Sequence, residues 1–310
     1  MTQAEAGSGT GADVLAGLSN DLANAVETAA ISIMRVEARR GNASTGIIWT
    51  NDGHILTADH TIEKEEDIPI GHGDGRRLTA RLVARDPGTD LALLKVDATD
   101  LHPAQRGADG DVRVGHLALA IGRPGESGVM ASLGIVSALG GPWRTARGSR
   151  IDRYVRTDAT LYPGFSGGPL VDAAGRVIGI NSWTLSQGAG LAIPAGTAAQ
   201  VADALAQGGV KRAYLGVATQ PVSLPPAIRG KVGTGQEAGL MLVSVEADGP
   251  AEKSGLLIGD ILVTIDGKPL NTAEDLLAQL SSGRAGQMAN FKLVRAGEVR
   301  DLQVTLGQRS

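Results

Sequence analysis

The 310-residue chain has no cysteine, which excludes disulfides and thiolate-bound metal sites. Aromatic residues make up only 3%. Lys and Arg (29) do not outnumber Asp and Glu (33), and the net charge of −4 provides no basic field for nucleic acid. No apolar run approaches the ~20 residues of a membrane-spanning helix. Met1 to Gly17 lacks both the basic start and the apolar centre of a signal peptide. A full-length chain is therefore expected in the cytoplasm, unless a targeting segment has been removed. No motif calls for a metal or another cofactor.

Glycine is abundant, 44 residues, and an apolar fraction of 42% suffices for sizeable cores. Glycines between short apolar runs suit turn-rich β structure. Residues 1–12 are small and polar and read as disordered. Asp13 to Thr28 carries Val14, Leu15, Leu18, Leu22 and Val26 at helical spacing. Gly46–Thr50 and His54–Thr57 flank Asn51-Asp52-Gly53 as a hairpin. Further strands are expected at Leu78–Ala84, Leu91–Val96, Leu117–Ile121, Gly128–Ala138, Tyr154–Thr157, Pro169–Val171, Val177–Ser182 and Gly190–Ile193. No long helices separate them, so a sandwich or barrel is favoured over a parallel sheet. Ala198, Val201, Ala202 and Leu205 give Pro194–Gln207 a helical face, closed by Gly208-Gly209. Lys211-Arg212-Ala213 reads as a linker. A small α+β module follows, with strands at Leu240–Val245 and Asp260–Ile265, helices near Ala251–Ser254 and at Thr272–Leu280, and a last hairpin turning at Ala296-Gly297-Glu298. The chain thus divides into a segment 1–27, a β-rich domain 28–209 and a second domain 210–310.

The chemistry centres on Gly164-Phe165-Ser166-Gly167-Gly168-Pro169. A G-x-S-x-G pattern fits more than one hydrolase fold. The histidines discriminate. All five (His54, His60, His72, His102 and His116) precede Ser166. An α/β-hydrolase needs its base after the serine, so that fold is excluded. The order His, Asp, Ser is open, and so is Asp, His, Ser, though the latter belongs to a parallel α/β sheet that needs repeated βαβ units. His60 ends the run Ile55–His60, and Asp90 opens the apolar run Asp90–Val96. Taken singly they read as a surface histidine, a turn aspartate and a glycine-rich turn. Together they supply what a serine needs to become a nucleophile: a base, and an acid that holds the base in one tautomer. The N–H groups of Gly164 and Ser166 are the candidate oxyanion donors.

These segments resemble the HtrA (DegP/DegS-like) serine proteases. Ile55–His60 looks like the family's histidine strand and Asp86–Lys95 like its aspartate segment. Val114-Gly115, Ala120-Ile121-Gly122, Gly134–Ala138, Thr157-Asp158-Ala159, Gly164–Leu170, Gly179-Ile180-Asn181 and Leu191–Pro194 continue the pattern. Tyr214-Leu215-Gly216-Val217, Ala251–Leu256 and Gly259–Leu262 resemble a PDZ domain. The resemblance covers about residues 28–308. It implies a mainly β chain: a chymotrypsin-like double six-stranded β-barrel with the site between the barrels, then a small α+β PDZ domain. It also implies an ATP-independent endopeptidase for unfolded or misfolded proteins, active in protein quality control, assembled as a homotrimer or a multiple of it, and periplasmic or in the cell envelope.

By the same resemblance, Thr160, Leu161, Ala189, Gly190 and Leu191 line the specificity pocket. None is acidic, so cleavage after Val, Ala or Leu is expected. Leu215, Gly216 and Val217, beside Tyr214, present N–H groups to a peptide C-terminus, with Leu276 and Leu280 facing its last side chain. The chain departs from the family pattern in three places. Phe165 replaces the usual asparagine and cannot pair with a processed N-terminus. Gly141 stands where the sensor-loop arginine is expected, with Arg144 and Arg147 as possible substitutes. No aromatic precedes Trp49, so the N-terminal aromatics that form the trimer are missing. The competing function is a catalytically inactive, PDZ-bearing chaperone or scaffold.

Overall fold

The computed structural model describes residues 11–309, apart from 142, 145–149, 152, 186–189, 209–211, 234 and 281–283. The chain divides into two compact units, Met1–Gly209 and Val210–Ser310.

In the first unit, helix α1 (Gly11–Ala30) leads into six strands: β1 (Ile33–Val36), β2 (Ser44–Ile48), β3 (His54–Ala58), β4 (Ile68–Gly71), β5 (Arg77–Asp86) and β6 (Leu91–Val96). They close a barrel in the order β1-β2-β3-β6-β5-β4. Met34, Val36, Ile48, Ile55, Ile68, Leu94 and Val96 fill its centre. The β2–β3 hairpin turns at Gly53, whose φ of +100° excludes most side chains, and a Cβ there would lie 2.3 Å from the Val96 carbonyl oxygen.

A second closed barrel follows, built from β7 (Leu117–Gly125), β8 (Gly128–Gly140), β11 (Tyr154–Thr157), β12 (Pro169–Val171), β13 (Val177–Ser182) and β14 (Leu191–Pro194). Between β8 and β11 lies a two-stranded ribbon of β9 (Trp143–Arg144) and β10 (Arg150–Ile151). Helix α2 (Ala195–Ala206) buries Ala195, Ala198, Ala202 and Leu205 along one face, and packs against β5, β6 and β13. It covers the outer side of β6, which explains why Leu91 and Leu93 are as buried as the inward Ala92 and Leu94.

The second unit comprises β15 (Arg212–Tyr214), β16 (Val217–Ser223), α3 (Pro226–Val232), β17 (Ala238–Val245), α4 (Pro250–Lys253), β18 (Ile261–Ile265), β19 (Lys268–Pro269), α5 (Ala273–Gln279), β20 (Met288–Arg295), β21 (Glu298–Thr305) and β22 (Gly307–Arg309). The sheet order is β16-β17-β18-β20-β21, with β19 on β18 and a separate β15–β22 pair. Its core gathers Leu215, Leu240, Leu242, Leu256, Leu262, Leu276, Phe291 and Leu293. Thr272 and Asp275 form a capping box that starts α5.

Several expectations need correction. Gly11 and Ala12 belong to α1, while the remainder of the stretch expected to be disordered lies outside the described residues. β3 ends at Ala58, and His60 sits in the 3₁₀ turn Asp59–Thr61 that follows. Arg212 and Ala213 pair with β22 and are not linker, because their backbone finds partners at the chain's other end. β1 and β4 have no counterpart in the sequence pattern, since both are four residues long and β4 contains Pro69, while the groove strand expected from Val217 runs on as β16 to Ser223 through Pro221. Arg147 and the side chain of Arg144 lie outside the described residues.

Phe165 is fully buried in the second barrel, edge-on to Tyr162 at 5.4 Å. Truncation removes most of an aromatic side chain from a closed core. Phe165→Ala should lower stability by about 3–5 kcal/mol, read as a reduced urea midpoint at unchanged slope. A loss under about 1 kcal/mol would mean that the loop collapses into the space.

Candidate active site

His60 and Asp90 meet because β3 and β6 pair with Ala58 opposite Leu91, which brings the next residues of each strand end together. The Asp59 N–H donates to the Asp90 carbonyl at 3.1 Å, and the Thr61 hydroxyl donates back to Ala58 at 2.7 Å. From β5, the Arg85 guanidinium donates to the Asp59 carboxylate and to the Ile62 carbonyl, both at 2.6 Å, and so brackets the turn that carries His60. Asp90 adopts φ +60°, a conformation that aspartate tolerates better than most residues.

The Asp90 side chain is 4% exposed and that of His60 18%. His60 Nδ1 lies 2.8 and 2.9 Å from the two carboxylate oxygens, and its backbone N–H donates to Oδ1 at 3.0 Å. The Ser182 hydroxyl donates to Oδ2, as does the Thr184 hydroxyl at 2.9 Å. Burial pushes the Asp90 carboxyl up. The His60 hydrogen bond and charge, the Ser182 hydroxyl and the His60 N–H outweigh it, so the net shift is below the ordinary carboxylate range. An ionised carboxylate only accepts, so Nδ1 carries the proton and Nε2 is left as the basic nitrogen.

Ser166 lies two residues after Gly164 (φ +89°) and directly before Gly167 (φ +81°). Phe165 N–H donates to Tyr162, Gly167 N–H to Asn181 and Gly168 N–H to Phe165. The Gly164 and Ser166 N–H groups have no hydrogen-bond partner among the described residues. Ser166 Oγ accepts from the Trp183 N–H at 3.4 Å, which leaves its own proton free to be donated. The end of β13 therefore joins the two halves: Ser182 touches Asp90, and the next residue touches Ser166. No hydrogen bond runs between Ser166 and His60 among the described residues. Ser182, Trp183, Thr184 and Arg85 were not foreseen. Only the polar end of an apolar strand marks the first three, and nothing local marks Arg85.

Among the pocket candidates, Gly190 packs against Thr157 and Ala159, the stretch that leads into Thr160 and Leu161. Thr160 is exposed, with its carbonyl accepting from Ser132 Oγ at 2.6 Å. Leu161 lies in the second core with Phe165. Gly190 accepts from Thr157 N–H at 2.8 Å, and Leu191 is buried opposite Ser182. Ala189 lies outside the described residues.

In the second unit, Tyr214 ends β15, Leu215 is buried, Gly216 adopts φ +79° and Val217 opens β16. The Leu215 and Gly216 carbonyls accept from Ala251 and Glu246, while their N–H groups have no partner among the described residues. β16 is the sheet's edge and α5 packs beside it. Leu276 is buried and Leu280 half-buried against the core.

Residues 44–180 match the family model described as a trypsin-like peptidase domain, and residues 213–306 match that of a PDZ domain. Two relatives are named "Probable periplasmic serine endoprotease DegP-like". The one from Pseudomonas fulva (strain 12-X) is 38% identical over 269 residues, 85% of this chain and 55% of the relative. The one from Halomonas elongata is 36% identical over 274 residues, 86% and 57%. The chain thus spans about half the length of the curated relatives it matches. Among solved structures, "HtrA-type protease AlgW with decapeptide" is 32% identical with a TM-score of 0.69, covering 93% of this chain and 99% of that one. The serine endoprotease from Yersinia pestis is 31% identical with a TM-score of 0.71, covering 93% and 98%. With two closed six-stranded barrels, a following PDZ domain and these relatives, the chain belongs to the HtrA-type serine endoproteases.

Proposed function

We propose that this chain hydrolyses peptide bonds in unfolded or misfolded proteins, with Ser166 as nucleophile, His60 as general base and acid, and Asp90 as its orienting partner. The observation that carries this is the buried Asp90–His60 pair, coupled through Ser182 at the end of β13 and the next residue, Trp183, to a serine whose own N–H and that of Gly164 are unoccupied. Ser166 Oγ attacks the scissile carbonyl carbon and its proton passes to His60 Nε2. Asp90 stabilises the imidazolium, and the oxyanion accepts from the Gly164 and Ser166 N–H groups. His60 then protonates the leaving amine, and water, activated by His60, releases the acyl group. With no acid among the described pocket candidates, cleavage after small or medium apolar residues fits. Trypsin-like cleavage after Lys or Arg, faster than after Val, would speak against it.

In the second unit, a peptide C-terminus adds along the free edge of β16, its carboxylate taking the N–H groups of Leu215, Gly216 and Val217. The relatives' names favour the cell-envelope location over the cytoplasmic one. Assembly as a homotrimer belongs to the same proposal, and Val14, Leu15 and Leu18, exposed along α1, offer apolar surface for it.

Ser166→Ala should abolish fluorophosphonate labelling and lower casein hydrolysis by about 10⁶-fold, and Asp90→Asn should cost about 10⁴-fold. Undiminished digestion by Ser166→Ala would refute the assignment. The folded-state pKa of Asp90 lies below its unfolded value, so its stabilisation is present above the ordinary carboxylate range and lost as the pH falls through the folded value. The stability of Asp90→Asn should accordingly fall less steeply than wild type below about pH 4. For the groove, a labelled peptide ending in a free apolar residue should bind about 10- to 100-fold more tightly than its C-terminal amide, measured by fluorescence anisotropy. Equal affinities would exclude carboxylate capture.

A further inference from the structure

The serine loop is held by more than its glycines. Its central peptide unit, Gly164–Phe165, is pinned at both ends. The Gly164 carbonyl accepts from the Thr45 hydroxyl at 2.6 Å, and the Phe165 N–H donates to Tyr162 at 3.0 Å. Rotation of that plane breaks both bonds. Fixing the plane restrains ψ of Gly164 and φ of Phe165, so the N–H groups on either side can turn only about φ of Gly164 and ψ of Phe165. Those groups are the two unoccupied donors, Gly164 and Ser166.

Thr45, on β2, is fully buried, so its hydroxyl cannot exchange these partners for water. The same oxygen accepts from the Arg123 N–H of β7 at 2.9 Å, which steers the hydroxyl proton toward Gly164. The Thr45 N–H donates to the Ser166 carbonyl at 3.2 Å, and the Thr45 carbonyl accepts from the Thr57 hydroxyl of β3 at 2.7 Å. One residue thus ties both barrels to the loop. The surroundings leave little slack. A Cβ on Gly167 would lie 2.2 Å from the Thr45 oxygen, and one on Gly164 2.6 Å from Pro124 Cβ and 2.8 Å from the Ala43 oxygen.

We propose that Thr45 is a positioning residue for the oxyanion donors, its hydroxyl holding the Gly164–Phe165 peptide that joins the two peptide units bearing those N–H groups. Its effect on rate presupposes the hydrolytic role of Ser166, but its hold on the loop does not. Thr45→Val replaces the hydroxyl by a methyl of similar size, and Thr45→Ser keeps the hydroxyl. In the full chain acting on a peptide substrate, Thr45→Val should lower kcat on the order of 10²-fold with KM little changed. Thr45→Ser should recover most of that loss. The shape of the pH–rate profile should persist, because His60 and Asp90 are untouched. Amide exchange across residues 161–168 should be faster in Thr45→Val than in wild type or Thr45→Ser.

Equal losses in the Val and Ser variants would overturn the proposal in favour of methyl packing. So would a loss confined to KM, or unchanged exchange across the loop. A wild-type chain that neither digests casein nor takes a fluorophosphonate label would end the hydrolytic assignment, while the exchange comparison would still decide whether Thr45 holds the loop. Thr45→Ala, which adds no bulk, carries the same comparison if Thr45→Val does not fold.

Discussion

A carboxylate withdrawn from water at Asp90 must be surrounded by donors, and those donors come from separate parts of the first unit. His60 supplies a ring N–H and a backbone N–H from the turn after β3, and Ser182 and Thr184 supply hydroxyls from the end of β13. Meeting that one requirement brings a strand end of the first barrel to a strand end of the second. The orientation of His60 follows, and the neighbouring Trp183 N–H reaches Ser166. The desolvation cost is met by hydrogen bonds that also select the tautomer, so stability and chemical readiness share the same contacts.

The serine loop obeys a different constraint, that of space. Gly167 and Gly168 lie where any side chain would strike backbone oxygens of Thr45 or Ile121 within 2.3 Å. Phe165 points the other way and anchors the loop in the second core. The loop is therefore clamped between an apolar root and a polar collar, while its Gly164 and Ser166 N–H groups have no partner among the described residues. Arg85 does for the histidine turn what Thr45 does for this loop: each reaches from a strand elsewhere in the first unit and bonds backbone groups of the segment that carries the reactive side chain.

Much of this was legible in the chain. His60, Asp90 and Ser166 stand in runs whose local pattern survives translation into structure, and the absence of any histidine after Ser166 excluded the competing fold outright. The α2 face at Ala198, Ala202 and Leu205 was equally plain, because its period is helical and its closing Gly208 takes φ +102°. What stayed hidden depends on long-range pairing. β1 and β4 are too short to show a period, and β15 becomes a strand only because β22 returns to meet it. Thr45, Arg85 and Thr184 look like any polar residue until the fold sets them against Gly164, Asp59 and Asp90, which lie 119, 26 and 94 residues away. Leu161 read as a pocket residue, yet its side chain packs among the core residues.

The contact between Phe165 and Gly122 has a historical consequence. A Cβ on Gly122 would fall 2.5 Å from the Phe165 ring. The large residue at 165 and the bare backbone at 122 therefore form a genetic couple, in which the order of change matters. A lineage that first shrinks position 165 opens room for a side chain at 122. One that first enlarges 122 drives a side chain into the ring, so each order of change passes through its own penalty, a cavity or an overfilled core.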